Sequence, residues 1–246
     1  MIFDLGPITL AALSLALFGA AFVRGYSGFG FSAIFIAFAS LLTNPIPLIP
    51  VVFSCEILMT ALQARGIRGH VDWRRVLSLL AGAAIALPFS VWFILSVGGD
   101  VARIVVSLIV LVMSLILLSG WTLQKRIATG DHMGVGVISG MCNAAGIGGL
   151  PVAAFMTAQP MAAPVFRATM IVYLTGLDFM TMPLLWAGGI VTWETAIGVV
   201  CAFPILALGI WLGGKRFLSA TPTTFRKFAV MLLLTLSVLG LVRTVI

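Results

Sequence analysis

Charge is what this chain has least of. Of its 246 residues 9% are charged and only seven are acidic, where soluble domains carry about 25% charged and roughly 45–50% apolar residues. Here 61% are hydrophobic and the mean hydropathy is +1.21, so a water-soluble globular domain is excluded. Histidines are almost absent. His70 and His132 lie in expected loops without clustered cysteines or carboxylates, which argues against a metal centre. The three cysteines, Cys55, Cys142 and Cys201, sit in apolar segments without a C-x-x-C pair and read as free thiols behaving as small hydrophobes. No G-x-x-x-x-G-K-[ST] run is present, so ATP does not drive this chain directly. No Ser-His-Asp or Cys-His arrangement is available at membrane depth, so neither an enzyme nor a cofactor is expected. The start, Met1-Ile2-Phe3-Asp4, lacks the basic region of a signal peptide, and the first segment is expected to be retained.

What the chain does have is a series of apolar runs of about 20 residues, each long enough to cross ~30 Å of hydrocarbon. The net charge of +7 is not a nucleic-acid footprint, because the basic residues gather in three short loops. These are Arg65, Arg68, Arg74 and Arg75; Lys125 and Arg126; and Lys215, Arg216, Arg226 and Lys227. The intervening connections, 98–103 and 188–194, are neutral or nearly so. Basic short loops stay cytoplasmic. Segments 46–64, 104–123 and 193–212 therefore run inward, while 76–97, 167–187 and 228–246 run outward. Two stretches remain, 5–42 outside and 132–159 inside. Each must begin and end on one side, so both are hairpins, re-entrant or fully crossing.

Each hairpin contains a glycine break: Gly25-Tyr26-Ser27-Gly28-Phe29-Gly30 in the first, Asn143-Ala144-Ala145-Gly146-Ile147-Gly148-Gly149 in the second. The two halves repeat. Gly69-His70-Val71-Asp72-Trp73 matches Gly189-Ile190-Val191-Thr192-Trp193 at an offset of 120, and Gly28-Phe29-Gly30 matches Gly146-Ile147-Gly148 at 118. Charge places Trp73 inside and Trp193 outside, so one repeat is inverted. The expected fold is an all-α polytopic membrane protein with repeats at 1–123 and 124–246, each a broken-helix hairpin plus three transmembrane helices.

Paired helix breaks in inverted halves point to a transporter's binding site. Broken backbone inside a bilayer is tolerated only where it is packed in protein or lines a wet cavity. Each break opens a helix whose start suits an anion. The candidate ligands are Arg24, Gly25, Tyr26, Ser27, Gly28 and Gly30 at the first tip, Asn143, Gly146, Gly148 and Gly149 at the second, and Arg167. Competing readings are glycines serving only close helix packing, Arg24 snorkelling to the interface and Arg167 acting as an orientation charge. Glu56 and Asp178 lie mid-span, 17 and 15 residues before the repeat tryptophans. Ionisable groups there are costly. The pair reads as proton carriers or as counter-charges for Arg24 or Arg167.

The early Gly-x-Gly break, the Gly69–Arg74 loop with its Val-Asp-Trp-Arg run, the second tip and the Arg167-Ala168-Thr169 helix start together resemble the TauE/SafE family of bacterial and archaeal sulfite or organosulfonate exporters. The likeness covers nearly the whole chain. It implies proton-coupled secondary transport of a small sulfur-containing anion by alternating access, in the cell inner membrane. The partners expected are that anion, the lipid bilayer and, as a homo-oligomer, further copies of the chain, with no nucleic acid. The second tryptophan loop, Val191-Thr192-Trp193-Glu194, lacks the Asp-Trp-Arg charges of the first and carries no site. An anion channel or a scaffold without transport activity is the alternative.

Overall fold

A computed structural model describes residues 5–120 and 128–217, together with 231, 234 and 238. The first half contains α1 (Pro7–Ser27), α2 (Phe31–Leu42), a 3-10 turn at Ile46–Leu48, α3 (Ile49–Ile67), α4 (Trp73–Ser96) and α5 (Gly99–Leu118). The second contains α6 (Thr129–Asn143), α7 (Gly149–Thr157), α8 (Ala163–Ala187) and α9 (Trp193–Phe217). Among the described residues every regular element is helical, and six helices are long and apolar enough to cross a membrane. The chain is a polytopic membrane protein. Lys125, Arg126, Arg226 and Lys227, and nearly all of the expected span 228–246, lie outside the described residues.

Both hairpins form where the glycine breaks lie. The first is asymmetric. α1 has 21 residues, ~32 Å at 1.5 Å per residue, which is long enough for a full crossing, whereas the 12 residues of α2 cover only ~18 Å. α6, with 15 residues, and α7, with nine, are each too short to cross. Gly28 stops α1 by turning left-handed at φ +84°, donating its N–H to the Arg24 carbonyl at 2.8 Å. Gly30, at φ +91°, redirects the chain into α2. A β-carbon makes such φ values costly, so glycine is the residue that fits.

Packing exchanges partners between the halves. α1 lies along α9, α6 lies along α4, and α3 meets α8 between them. Small residues permit the close approaches. A β-carbon on Gly25 would sit 2.7 Å from the Ile210 carbonyl, and one on Gly82 or Gly136 would run into the carbonyl of Met133 or Leu79. Backbones approach this closely in membranes through glycine, since lipid supplies no hydrophobic force between helices. Trp73, Trp92, Trp186, Trp193 and Trp211 all point outward, as residues of an interfacial belt do.

The orientation is testable with single cysteines in a Cys201→Ala background, because Cys201 is exposed while Cys55 and Cys142 are buried. Cysteine at Arg68 should react with an impermeant thiol reagent only after the cells are opened, and cysteine at Asp100 should react in intact cells. The opposite pattern would overturn the charge-derived topology.

Candidate functional site

One face of α8 carries Arg167, Ile171, Thr175 and Asp178, spaced as a helical stripe. Opposite it, α3 presents Glu56 and Thr60 one turn apart. Arg24 reaches across from the last turn of α1 and joins them. Its Nη1 donates to Glu56 Oε1 at 2.7 Å, and its Nη2 donates to Thr60 Oγ1 at 3.0 Å. Thr60 and Thr175 hydroxyls meet at 2.6 Å. Arg24 and Asp178 are wholly buried and Glu56 nearly so. Asp178 lies within hydrogen-bonding reach of the Glu56 carboxyl and within electrostatic range of Arg24, and no other group bonds to its oxygens.

The cavity beside this cluster has a volume of about 160 Å³. Tyr26, Ser27 and Phe29 of the first tip line it, with Arg167 and Phe166 at the start of α8 and Gln159 just beyond α7. Arg167 Nη2 donates to the Gly25 carbonyl at 2.7 Å, and Phe29 packs edge-on to Phe166 with centroids 5.8 Å apart. Gly28 is bare for a reason. A β-carbon there would come 2.8 Å from Arg167 Cγ, so glycine is what lets the guanidinium stem lie against the tip. Arg167 also lies within electrostatic range of Arg24.

The first tip and Arg167 are therefore together, but the second tip is elsewhere. Asn143, Gly146, Gly148 and Gly149 are all buried and do not line the cavity. Asn143 Nδ2 donates to Thr181 Oγ1 at 2.9 Å. Tyr173 donates to Ser139 at 2.6 Å, and Ser139 donates to the Gly148 carbonyl at 2.5 Å. A β-carbon on Gly146 would meet Ile36 of α2 at 2.8 Å, and one on Gly148 would meet Asn143 Oδ1 at 2.5 Å. The opposite end of α7 is the part that reaches the cavity. Arg24 is absent from the lining as well, since Glu56 and Thr60 hold its terminal nitrogens. Gly30 sits behind the tip, against Val23 and Ile34.

Sequence reasoning missed Thr60, Thr175, Ser139, Thr181 and Gln159. The first two had a readable signal, being hydroxyls one turn from a mid-span acid on otherwise apolar helices. Among the described residues no three His, Cys, Asp or Glu side chains converge as metal ligands.

No curated protein and no solved structure matches the chain. A family model does, over residues 13–240, a range that includes both hairpins, the α3–α8 charge cluster and the cavity. With six membrane-length helices and two glycine-broken hairpins, this chain belongs to the sulfite exporter TauE/SafE family.

Proposed function

We propose that this protein exports sulfite or a small organosulfonate across the inner membrane, coupled to protons, by alternating access. The observation that carries the reading is Arg167, a part-buried guanidinium lining a cavity formed by a helix break. A planar guanidinium matches an oxyanion in fork geometry, and Tyr26 and Ser27 line the same cavity, the Ser27 hydroxyl being held by the Val23 and Phe29 carbonyls. Arg24, behind the cavity, links Arg167 electrostatically to the two acids Glu56 and Asp178. With Arg24, Glu56, Arg167 and Asp178 all ionised the cluster sums to zero, and a single proton on either acid leaves a charge of +1. A proton and a monovalent anion can then be held together without net charge, so binding of one favours binding of the other.

The repeats proposed for the site are 1–123 and 124–246. The exchanged pairing of α1 with α9 and α6 with α4 supports a pseudo-two-fold relation between the halves, and the charge-derived placement of Trp73 inside and Trp193 outside makes that relation an inverted one. An open cavity at the first tip and a closed, packed second tip fit one of the two states that alternating access requires.

Arg167→Gln should reduce sulfite flux into proteoliposomes about 10- to 100-fold, the effect of losing one charge-assisted contact of roughly 1.5–3 kcal/mol. Flux that saturates with substrate and falls in this variant supports a carrier. Linear, unsaturable flux would mean a channel, and no flux of any sulfur oxyanion by the parent protein would mean a scaffold.

The two tips should respond differently to bulk. Gly28→Leu should lower anion binding and the melting temperature together, because a β-carbon is strained at φ +84° and meets the backbone as well as the side chain of Arg167. Gly148→Leu should instead lower the melting temperature first, because the space belongs to Asn143 and the Ser139 carbonyl; overpacking of this kind costs about 1–3 kcal/mol. Melting and binding measured on the same samples separate the two, and normal binding by Gly28→Leu would remove the first tip from the site.

A further inference from the structure

We propose that a second, separate polar cavity between the starts of α4 and α6 binds a single tetrahedral oxyanion of the phosphate type and fastens α6 to α4. The cavity measures about 180 Å³ and is lined by Asp72, Arg74, Arg75, Ser78, Thr129 and His132. It shares no lining residue with the cavity around Arg167. It also accounts for the Val-Asp-Trp-Arg run, which transport at the first tip leaves unused.

Charge selects the class of ligand. Two guanidiniums face one carboxylate, and that carboxylate is already engaged. Asp72 Oδ1 accepts the Arg75 N–H at 3.2 Å, and Asp72 Oδ2 lies 3.4 Å from Arg75 Nε. A cation would find a single committed acid; an anion finds Arg74 and Arg75. Arg74 Nη2 already bridges the gap by donating to Thr129 Oγ1 at 3.2 Å, and both helices begin here, with their positive ends toward the cavity.

Helix starts and arginines alone do not make a site, and His132 supplies the independent observation. It is buried, with 7% of its surface exposed, although it lines a polar cavity. Nδ1 lies 3.0 Å from the Ala128 carbonyl, which can only accept, so Nδ1 carries the hydrogen. Nε2, the ring nitrogen turned away from that carbonyl, has no partner. Phe155 holds the ring edge-on, with centroids 5.3 Å apart. A buried polar atom left without a partner is costly. Nε2 can accept the O–H of hydrogen phosphate or, when itself protonated, donate to an oxyanion. An anion held by Arg74 and Arg75 on α4 and by His132 and Thr129 on α6 would bridge the two helices. Inorganic phosphate and the headgroup of an anionic lipid offer the same chemistry.

The test uses the full-length protein in neutral detergent, with melting followed against sodium phosphate and against sodium chloride of equal ionic strength. Phosphate should raise the melting temperature of the parent protein and of Arg167→Gln alike. In Arg74→Gln and His132→Phe the half-saturating phosphate concentration should rise about tenfold or more, the loss expected of one charge-assisted contact. Arg74 is exposed, so that variant keeps the fold even if His132→Phe does not. A second arm adds phosphatidylglycerol to the micelles. If the lipid raises the melting temperature and abolishes the response to phosphate, the site takes a headgroup; if the phosphate response persists, it takes the soluble ion. Either result supports the site. It is overturned by a phosphate response that survives Arg74→Gln, by one that Arg167→Gln removes, or by a parent protein that responds to neither phosphate nor the lipid.

Discussion

Glu56→Gln should unfold the protein rather than merely uncouple it. Arg24 is completely buried and its closest contact is the 2.7 Å ion pair with Glu56. Breaking a buried pair by removing one partner typically costs about 3–5 kcal/mol, because the surviving charge is left in a medium that cannot solvate it. The expected result is poor yield of folded protein and a large drop in melting temperature. Replacing the pair together with the acid beside it, as in Arg24→Met with Glu56→Met and Asp178→Asn, should recover much of the stability, since no lone charge remains and apolar groups fill the volume of the pair. Asp178 is the carboxylate left within range of Arg24 when Glu56 is neutralised. Glu56→Gln combined with Asp178→Asn should therefore be less stable than the two single effects predict, as expected for groups in one network. An unchanged melting temperature in Glu56→Gln would show that the ion pair is not what holds α1 to α3.

Asp178→Asn should do the opposite: keep the fold and abolish the response of flux to an imposed pH gradient. Asp178 is as deeply buried as Arg24, but it forms no ion pair, and the one group within hydrogen-bonding reach of it is the Glu56 carboxyl. The amide has nearly the same shape and removes no ion pair, so folding loses little. It also cannot titrate. In proteoliposomes this variant should carry anion down its own gradient at a rate that is the same with and without a pH difference, while the parent protein accelerates. A full proton response in Asp178→Asn would place coupling elsewhere, on Glu56 or on the substrate itself.

These opposite expectations come from two residues that look like symmetry mates in the sequence. Each is a lone acid near mid-span, a similar distance before a repeat tryptophan, and nothing local distinguishes them. What separates them is which face of which helix Arg24 can reach. That depends on the rotation of α1 about its axis and on its seat along α9, set by Gly25, Gly209 and Gly213 nearly two hundred residues apart. Pattern along a chain carries no information about such approaches.

The amino-acid sequence by itself determined the membrane class, the spans within the described residues and the position of both hairpins. Each follows from local physics: apolar length against hydrocarbon thickness and backbone that only glycine adopts readily, as at Gly28 and Gly30. The length of α1 was ambiguous because an apolar run does not announce where its last turn ends; the left-handed Gly28 decided it. The two glycine tips looked equivalent in the chain, and the fold made them different. The first opens onto a cavity with Arg167. The second is packed against Ile36 and Leu174, while Gln159, at the other end of α7, reaches the cavity. Tertiary structure decided this because a glycine serves equally where a ligand approaches and where a neighbouring helix does, and only the neighbour's position tells the two apart.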